Sequence, residues 1–395
     1  MPSEFHDVLN KELQGGLRDL ESRSQRRNLV EVTGINLCSN DYLGLADHPA
    51  LRAATIEALR DVDRVAGTGS RLLSGHTAGW SELEEEFAAF AGTEAALYFG
   101  SGYGANIGLL TSLAGKNDVI FSDALNHASI IDGIRLSGAR KVIYPHRDLD
   151  ALESALKENL QERGRKLIVT ETVFSMDGDI APVDEIVALA ERYGAGVIVD
   201  EAHATAVHGP SGHGIAAEAL ASGRIVAAMH TCGKALASAG AFVCGSAILR
   251  EHLINHARTF IFSTAMPPYL ARQIRAALQL AKGMDSERAE LRSRASGLAK
   301  ALRHGGWETM GSATQIVPAV VGENAAALSA AEYLQREGFA VRAIRPPTVP
   351  QGTARLRFSL THRINALQLE RLAAALNVWR SRMQQPAHLA MAGNA

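Results

Sequence analysis

Lys234 lies in the stretch Met229–His230–Thr231–Cys232–Gly233–Lys234–Ala235–Leu236, just past the strand-like run Ile225–Val226–Ala227–Ala228. Surface lysines usually stand among polar neighbours on a helix face. This one is flanked by Cys232, Gly233, Ala235 and Ala237, which can pack closely around it. A lysine so placed sheds its proton more readily and can attack a carbonyl. A Gly-Lys pair in a turn is common, so the lysine by itself is a weak signal. Upstream, Val197–Ile198–Val199–Asp200 is an unbroken apolar run ending in a carboxylate, followed by Glu201, Ala202 and His203. A strand buried in a parallel sheet reads that way, and ligands gather beyond the carboxyl ends of such strands. Asp200 and His203 are thus expected on the same side of the sheet as Lys234.

An amine for a Schiff base, a carboxylate for a pyridinium nitrogen and an imidazole for a phenolic oxygen are the groups pyridoxal 5'-phosphate requires. Separately, Asp200 could be a helix N-cap and His203 a hydrogen-bonded core histidine. Together with Lys234 they favour the cofactor. Gly100–Ser101–Gly102–Tyr103–Gly104 follows the strand-like run Ala95–Phe99 and precedes a helix over Asn106–Leu113. Such a turn can cradle a phosphate on backbone N–H groups, or be only a turn; Tyr103 either covers a ring or packs. His127, at the next helix start, either stacks on a planar cofactor or bonds solvent. Asp177–Gly178–Asp179 lacks the spacing of a calcium loop, and no metal is expected.

The elements that must position these groups alternate strand and helix from Ala95 onward. Strands are expected at Val119–Phe121, Lys141–Tyr144, Leu167–Thr170, Val197–Asp200, Ile225–Met229 and Phe242–Ala247. The result is an α/β class protein with a mostly parallel seven-stranded sheet and helices on both faces. Before it, Leu9, Leu13, Leu17 and Leu20 predict an amphipathic helix carrying Arg18. A strand pair is expected at Leu29–Val32 and Ile35–Leu37, then the polar turn Ser39–Leu45. Gly67–His76 carries no dinucleotide fingerprint and suits a substrate-side or subunit-contact loop. A break at Gly283–Asp285 precedes a C-terminal α+β lobe with strands near Gln315–Val321, Ala340–Ile344 and Arg355–Leu360. The domains divide as 1–45 helix and arm, 46–284 large lobe, 285–382 small lobe and 383–395 a fraying tail. In the small lobe, prolines stiffen the turn bearing Arg345 and Thr348. With Arg357 these suit anion recognition, or surface salt bridging.

At 395 residues, 47% apolar and a formal charge of -2, the chain suits a two-lobed α/β enzyme. That charge gives no electrostatic case for nucleic acid or a membrane as partner. No apolar run approaches a membrane span, and no signal pattern opens the chain. Cys38, Cys232 and Cys244 lack metal-ligand spacing, so a reduced cytoplasm is expected.

These residues resemble the α-oxoamine synthases, a family of fold-type I pyridoxal-phosphate transferases. The resemblance runs from Leu17 to about Trp379. It rests on Ser39–Leu45, Phe174–Gly178, Asp200–His203, Thr231–Lys234 and Phe262–Pro268. Around the lysine, Cys232 and Ala235–Ser238 depart from the usual family pattern. The stretch Ala343–Pro350 resembles the oxononanoate synthase branch, which acts in biotin biosynthesis.

The resemblance implies that Lys234 holds the cofactor and moves protons at the substrate Cα, with Asp200 on the pyridine nitrogen. His203 and Ser175 would bond the phenolic oxygen, and His127 would stack on the ring. Gly102, Tyr103 and Thr231 would bind the phosphate, joined by Thr264 from the partner of a homodimer with shared sites. Arg357 and Asn40 would grip an amino-acid carboxylate, and Arg18, Arg345 and Thr348 would line the acyl-donor path. The substrates implied are L-alanine and a pimeloyl thioester of CoA or acyl carrier protein. Another amino acid or acyl donor, an aminotransferase and a cofactor-free subunit are the alternatives; the last would lack Lys234.

Overall fold

The computed structural model describes residues 4–384. Helix α1 (Glu4–Ser22) forms where the leucine spacing places it, yet Phe5, Val8, Leu13 and Leu17 along it are exposed. The arm that follows departs from expectation. Leu29, Val30 and Val32 are exposed and form no strand. Only β1 (Ile35–Asn36) is extended and paired, and its partner is Phe339–Ala340 in the small lobe. The expected local pairing fails because the arm finds its hydrogen bonds on a distant element.

Helices α2 (Pro49–Asp61) and α3 (Ala78–Ala91) lead into the large lobe. There β2 (Ala95–Phe99), α4 (Gly102–Leu113), β3 (Val119–Asp123), α5 (Ala128–Ser137), β4 (Arg140–Tyr144) and α6 (Leu149–Glu158) alternate. They continue through β5 (Lys166–Glu171), α7 (Val183–Tyr193), β6 (Gly196–Asp200), α8 (Ala217–Ala221), β7 (Ala227–Thr231) and β8 (Ala241–Gly245). The strands form one seven-stranded sheet in the order β2-β8-β7-β6-β5-β3-β4. All pairs are parallel except those made by β8, which runs antiparallel to β2 and β7. Every residue of β3, β7 and β8 is buried, as expected of strands covered on both faces. On one face α3 buries Trp80, Leu83 and Phe87, and the Phe87 ring stacks on Phe242 of β8 at 3.9 Å. Gly92 ends α3 at a φ of 71°, a conformation only glycine takes freely. The expected Gly100–Gly104 turn is shorter than read, because α4 begins at Gly102. The Gly67–His76 loop contains a π-helical turn over Arg71–Gly75.

After α9 (Ala247–His256), α10 (Arg258–Ile261) and α11 (Pro268–Lys282), the chain breaks at Gly283. The small lobe comprises α12 (Asp285–His304), β9 (Ile316–Gly322), α13 (Asn324–Arg336), β10 (Phe339–Ala340), β11 (Ala343–Ile344), β12 (Ala354–Ser359) and α14 (Ala366–Gln384). The strand expected over 340–344 is split: β10 joins β1 while β11 joins the antiparallel sheet β11-β12-β9. Helix α14 reaches Gln384, so Met383 and Gln384 are helical, and the remainder of the expected tail lies outside the described residues. No described helix is long and apolar enough to cross a membrane.

Candidate active site

Three neighbouring parallel strands finish together. Glu171, last in β5, pairs in register with Asp200, last in β6, which in turn pairs with Met229 of β7. Past Thr231, the end of β7, the chain makes a turn in which Cys232 N–H donates to the Gly240 carbonyl at 2.9 Å. Ser238 N–H donates to the Cys232 carbonyl, also at 2.9 Å, and Cys232 is fully buried. Lys234 rides on this turn, half-buried. Burial pushes its amine down to about 8, against the pull of the Asp200 and Glu171 carboxylates. The small residues read in the sequence around the lysine are what permit the close turn.

Asp200 is held from two sides. Its Oδ1 accepts from Ala202 N–H at 2.8 Å and its Oδ2 from Asn106 Nδ2 at 2.8 Å. Asn106 also donates to Ser129 Oγ at 2.9 Å, which meets His127 Nδ1 at 2.8 Å. A continuous polar line therefore joins Asp200 to the histidine that caps α5. Asn106 went unread in the sequence. Its signal is an amide side chain between the apolar Ala105 and Ile107, one turn past Gly102. Burial lowers the His127 imidazole and drives His203 well below its ordinary range, with Lys234 adding to the effect on both. Burial and the adjacent Asp200 raise the Glu171 carboxyl well above its usual range.

At the phosphate end, Ser101 caps α4 by accepting from Gly104 N–H at 3.0 Å. A Cβ at Gly102 would stand 3.6 Å from Thr231 Oγ1, so these two expected residues do meet. Tyr103 turns its hydroxyl to Asp132, with its ring centroid 6.2 Å from that of His127. Thr264 is exposed, and its backbone bridges Ser70 instead of joining the cluster of its own chain.

At the opposite end, Arg357 of β12 donates from Nε to the Ser175 carbonyl at 2.5 Å. Its Nη1 and Nη2 reach Asn40 Oδ1 at 3.3 and 3.2 Å. The expected Arg357, Asn40 and Ser175 are therefore one cluster. Arg345 is engaged otherwise: its Nη atoms donate to the Ser24 and Arg26 carbonyls of the arm. Thr348 Oγ1 accepts from Arg27 Nη2 at 3.4 Å and lines a cavity of about 350 Å³ with Leu125, Phe174, Met176 and Met310. Arg18 is exposed on α1, and no hydrogen bond or ion pair ties it to these residues. The acidic turn is paired by cations: Arg355 meets Asp177, while His146 Nε2 and Arg147 Nη1 meet Asp179 at 2.8 and 3.0 Å.

The aminotransferase class I and II family matches residues 32–376. The 8-amino-7-oxononanoate synthase of Geobacter sulfurreducens is 47% identical over 383 residues, covering 93% of this chain and 97% of that protein. This chain belongs to the α-oxoamine synthase family. Among solved structures, serine palmitoyltransferase from S. paucimobilis superposes on this α-oxoamine synthase with a TM-score of 0.86 at 29% identity, covering 94% and 97% of the chains. An 8-amino-7-oxononanoate synthase from Francisella tularensis gives a TM-score of 0.75 at 29% identity, covering 89% and 98%. The enzyme is a pyridoxal-phosphate transferase, and its residues fit that group. An amine tuned downward faces a fixed carboxylate, and a capped helix opens on a glycine beside Thr231.

Proposed function

We propose that this α-oxoamine synthase joins L-alanine to a pimeloyl thioester, releasing CO₂ and a thiol and leaving 8-amino-7-oxononanoate, an intermediate of biotin formation. The observation that carries the reading is the pairing of Lys234 and Asp200 at the strand ends with the Arg357–Asn40 cluster, on whose side the Thr348 cavity also lies. Bound pyridoxal phosphate supplies an electron sink for the carbanion at the alanine Cα. Lys234 is the base: its Nζ, deprotonated at mildly alkaline pH, takes the Cα proton and later returns one to the same carbon. Asp200, pinned by Asn106 and Ala202, holds the proton on the ring nitrogen. His127 would lie against the ring, and His203 with Ser175 would bond its phenolic oxygen. Arg357 and Asn40 would receive the alanine carboxylate and so orient the Cα for proton removal by Lys234. The new C–C bond expels the thiol, after which that carboxylate leaves as CO₂.

The cavity at Thr348 offers apolar walls to the acyl chain, which supports a short acyl donor carried on CoA or an acyl carrier protein. Thr264, exposed on its own chain, supports a homodimer in which it completes the partner's phosphate site. A cytoplasmic location follows from the same reading. Incubation with L-alanine and pimeloyl-CoA, followed by mass detection, is expected to yield the amino ketone, free CoA and CO₂ in equal amounts. Exchange of amino groups with a keto acid, without CO₂, would mark an aminotransferase instead.

A further inference from the structure

In the sequence, Tyr42 stands within the polar turn Ser39–Leu45. It is fully buried, and its hydroxyl lies 2.6 Å from His203 Nδ1 and 3.1 Å from Asn40 Oδ1. The phenol carries one proton, so it can donate to only one of these two acceptors. The occupancy of Asn40 decides which.

Asn40 Oδ1 also faces Arg357 Nη1 and Nη2 at 3.3 and 3.2 Å and Ser359 Oγ at 3.0 Å. A guanidinium has only donors. Ser359 Oγ already accepts from Arg357 Nη1 at 2.7 Å, which turns its own hydrogen toward Asn40. Arg357 and Ser359 therefore fill both lone pairs of the amide oxygen. The Tyr42 proton is left to the shorter contact, and His203 Nδ1 must accept it. Among the other polar groups near the hydroxyl is the Arg357 guanidinium, which can only donate.

Buried beside the positive charges of Lys234 and Arg357, His203 is a neutral imidazole with a single N–H. Its backbone is pinned as well: Gln315 Nε2 donates to the His203 carbonyl at 2.8 Å, while Gln315 Oε1 faces His208 Nε2 at 2.8 Å. An accepting Nδ1 leaves the hydrogen on Nε2, the nitrogen for which no protein partner is found among the described residues.

We propose that Tyr42 is a positioning residue that fixes His203 as the Nε2–H tautomer, making it a hydrogen-bond donor to the phenolic oxygen of the cofactor. The donor role rests on the assignment of His203 to that oxygen; the tautomer does not. A donor there favours the anionic oxygen, whereas the opposite tautomer would present a lone pair and favour the protonated phenol. The partner of the functional histidine thus sets its direction of hydrogen bonding without touching the cofactor.

The test uses ¹⁵N-histidine NMR on the apoenzyme and the pyridoxal-phosphate-loaded enzyme, with His203→Gln identifying the resonances. The apoenzyme is expected to show a pyrrole-type Nε2 and a pyridine-type Nδ1 at His203. Tyr42→Phe is expected to mix the tautomers and, once loaded, to change the ratio of the cofactor's two near-ultraviolet and visible bands at fixed pH about twofold or more. A pyrrole-type Nδ1 in the apoenzyme overturns the proposal and leaves the cofactor site intact. So does an unchanged His203 spectrum in Tyr42→Phe. Should that variant fail to fold, the unsubstituted apoenzyme spectrum decides the tautomer. An Nε2 signal that ignores loading overturns the donor role and the assignment of His203 to the oxygen, with the tautomer standing apart.

Discussion

Arg355 and Asp177 lie 178 positions apart in the chain and form an ion pair with both side chains buried. Arg355 belongs to β12 of the small lobe, and Asp177 to the turn after β5. Removing one partner strands the other charge out of water, at a cost of about 3–5 kcal/mol. Asp177→Ala is therefore expected to lower the urea midpoint steeply, as followed by circular dichroism. A change below about 1 kcal/mol would show that the pair does not bind the lobes together.

Lys234 must be uncharged to attack the cofactor's aldehyde, and burial sets its amine at about 8. Reconstitution of the apoenzyme with pyridoxal phosphate is expected to quicken as pH rises through about 8 and then level off. Stopped-flow absorbance reads this directly. A rate still climbing tenfold per pH unit above 9 would place the amine at its ordinary value.

Asp200→Asn removes the charge but keeps the contact to Asn106. A charge-assisted bond is worth about 1.5–3 kcal/mol, so the cofactor dissociation constant is expected to rise about 10–100-fold. Turnover is expected to fall further, because the neutral amide no longer holds the ring nitrogen protonated. Equilibrium dialysis and steady-state assays separate the two effects, and near-normal turnover would remove Asp200 from the electron-sink role.

The two small-lobe arginines predict different signatures. Arg357→Ala is expected to raise the L-alanine concentration needed for half-maximal spectral change by about tenfold or more, with little effect on thioester affinity. Arg345 holds the arm carbonyls of Ser24 and Arg26, so Arg345→Ala is expected to speed proteolysis within the arm. Any rise in the Michaelis constant for the thioester would then accompany that loosening. If arm cleavage is unchanged while thioester binding weakens, Arg345 acts on the acyl donor itself.

His146 bridges Asp123 and Asp179 at 2.9 and 2.8 Å. Burial opposes its charge, but its hydrogen bonds to the two carboxylates prevail and push it up to about 9. Because the folded value exceeds the unfolded value near 6.5, its stabilisation is complete below about 6.5 and lost as pH rises through 9. The full difference corresponds to about 3 kcal/mol, which solvent screening of the partly exposed ring reduces to the order of 2 kcal/mol. Melting temperature measured from pH 6 to 10 is expected to fall across that window and to flatten in His146→Gln.

Strand runs such as Val197–Asp200 were legible because burial on both faces leaves an unbroken apolar string that ends where the chemistry begins. Lys234, Asp200 and His203 were legible because they follow such strings. Leu29–Val32 misled because apolar content alone does not supply a pairing partner. Asn106, Tyr42 and the Arg345 clamp were hidden for a different reason. Their roles come from contacts across 94, 161 and 321 positions, which no local spacing encodes. Thr264 was named through resemblance, and its own chain gives it no place in the cluster.

Asn40 and Arg357, which together form the proposed grip on the amino acid, are 317 residues apart. A growing chain on the ribosome presents Lys234, Asp200 and His127 well before Arg357 emerges. The proposed grip on the amino acid can therefore close only once β12 has been made, late in synthesis.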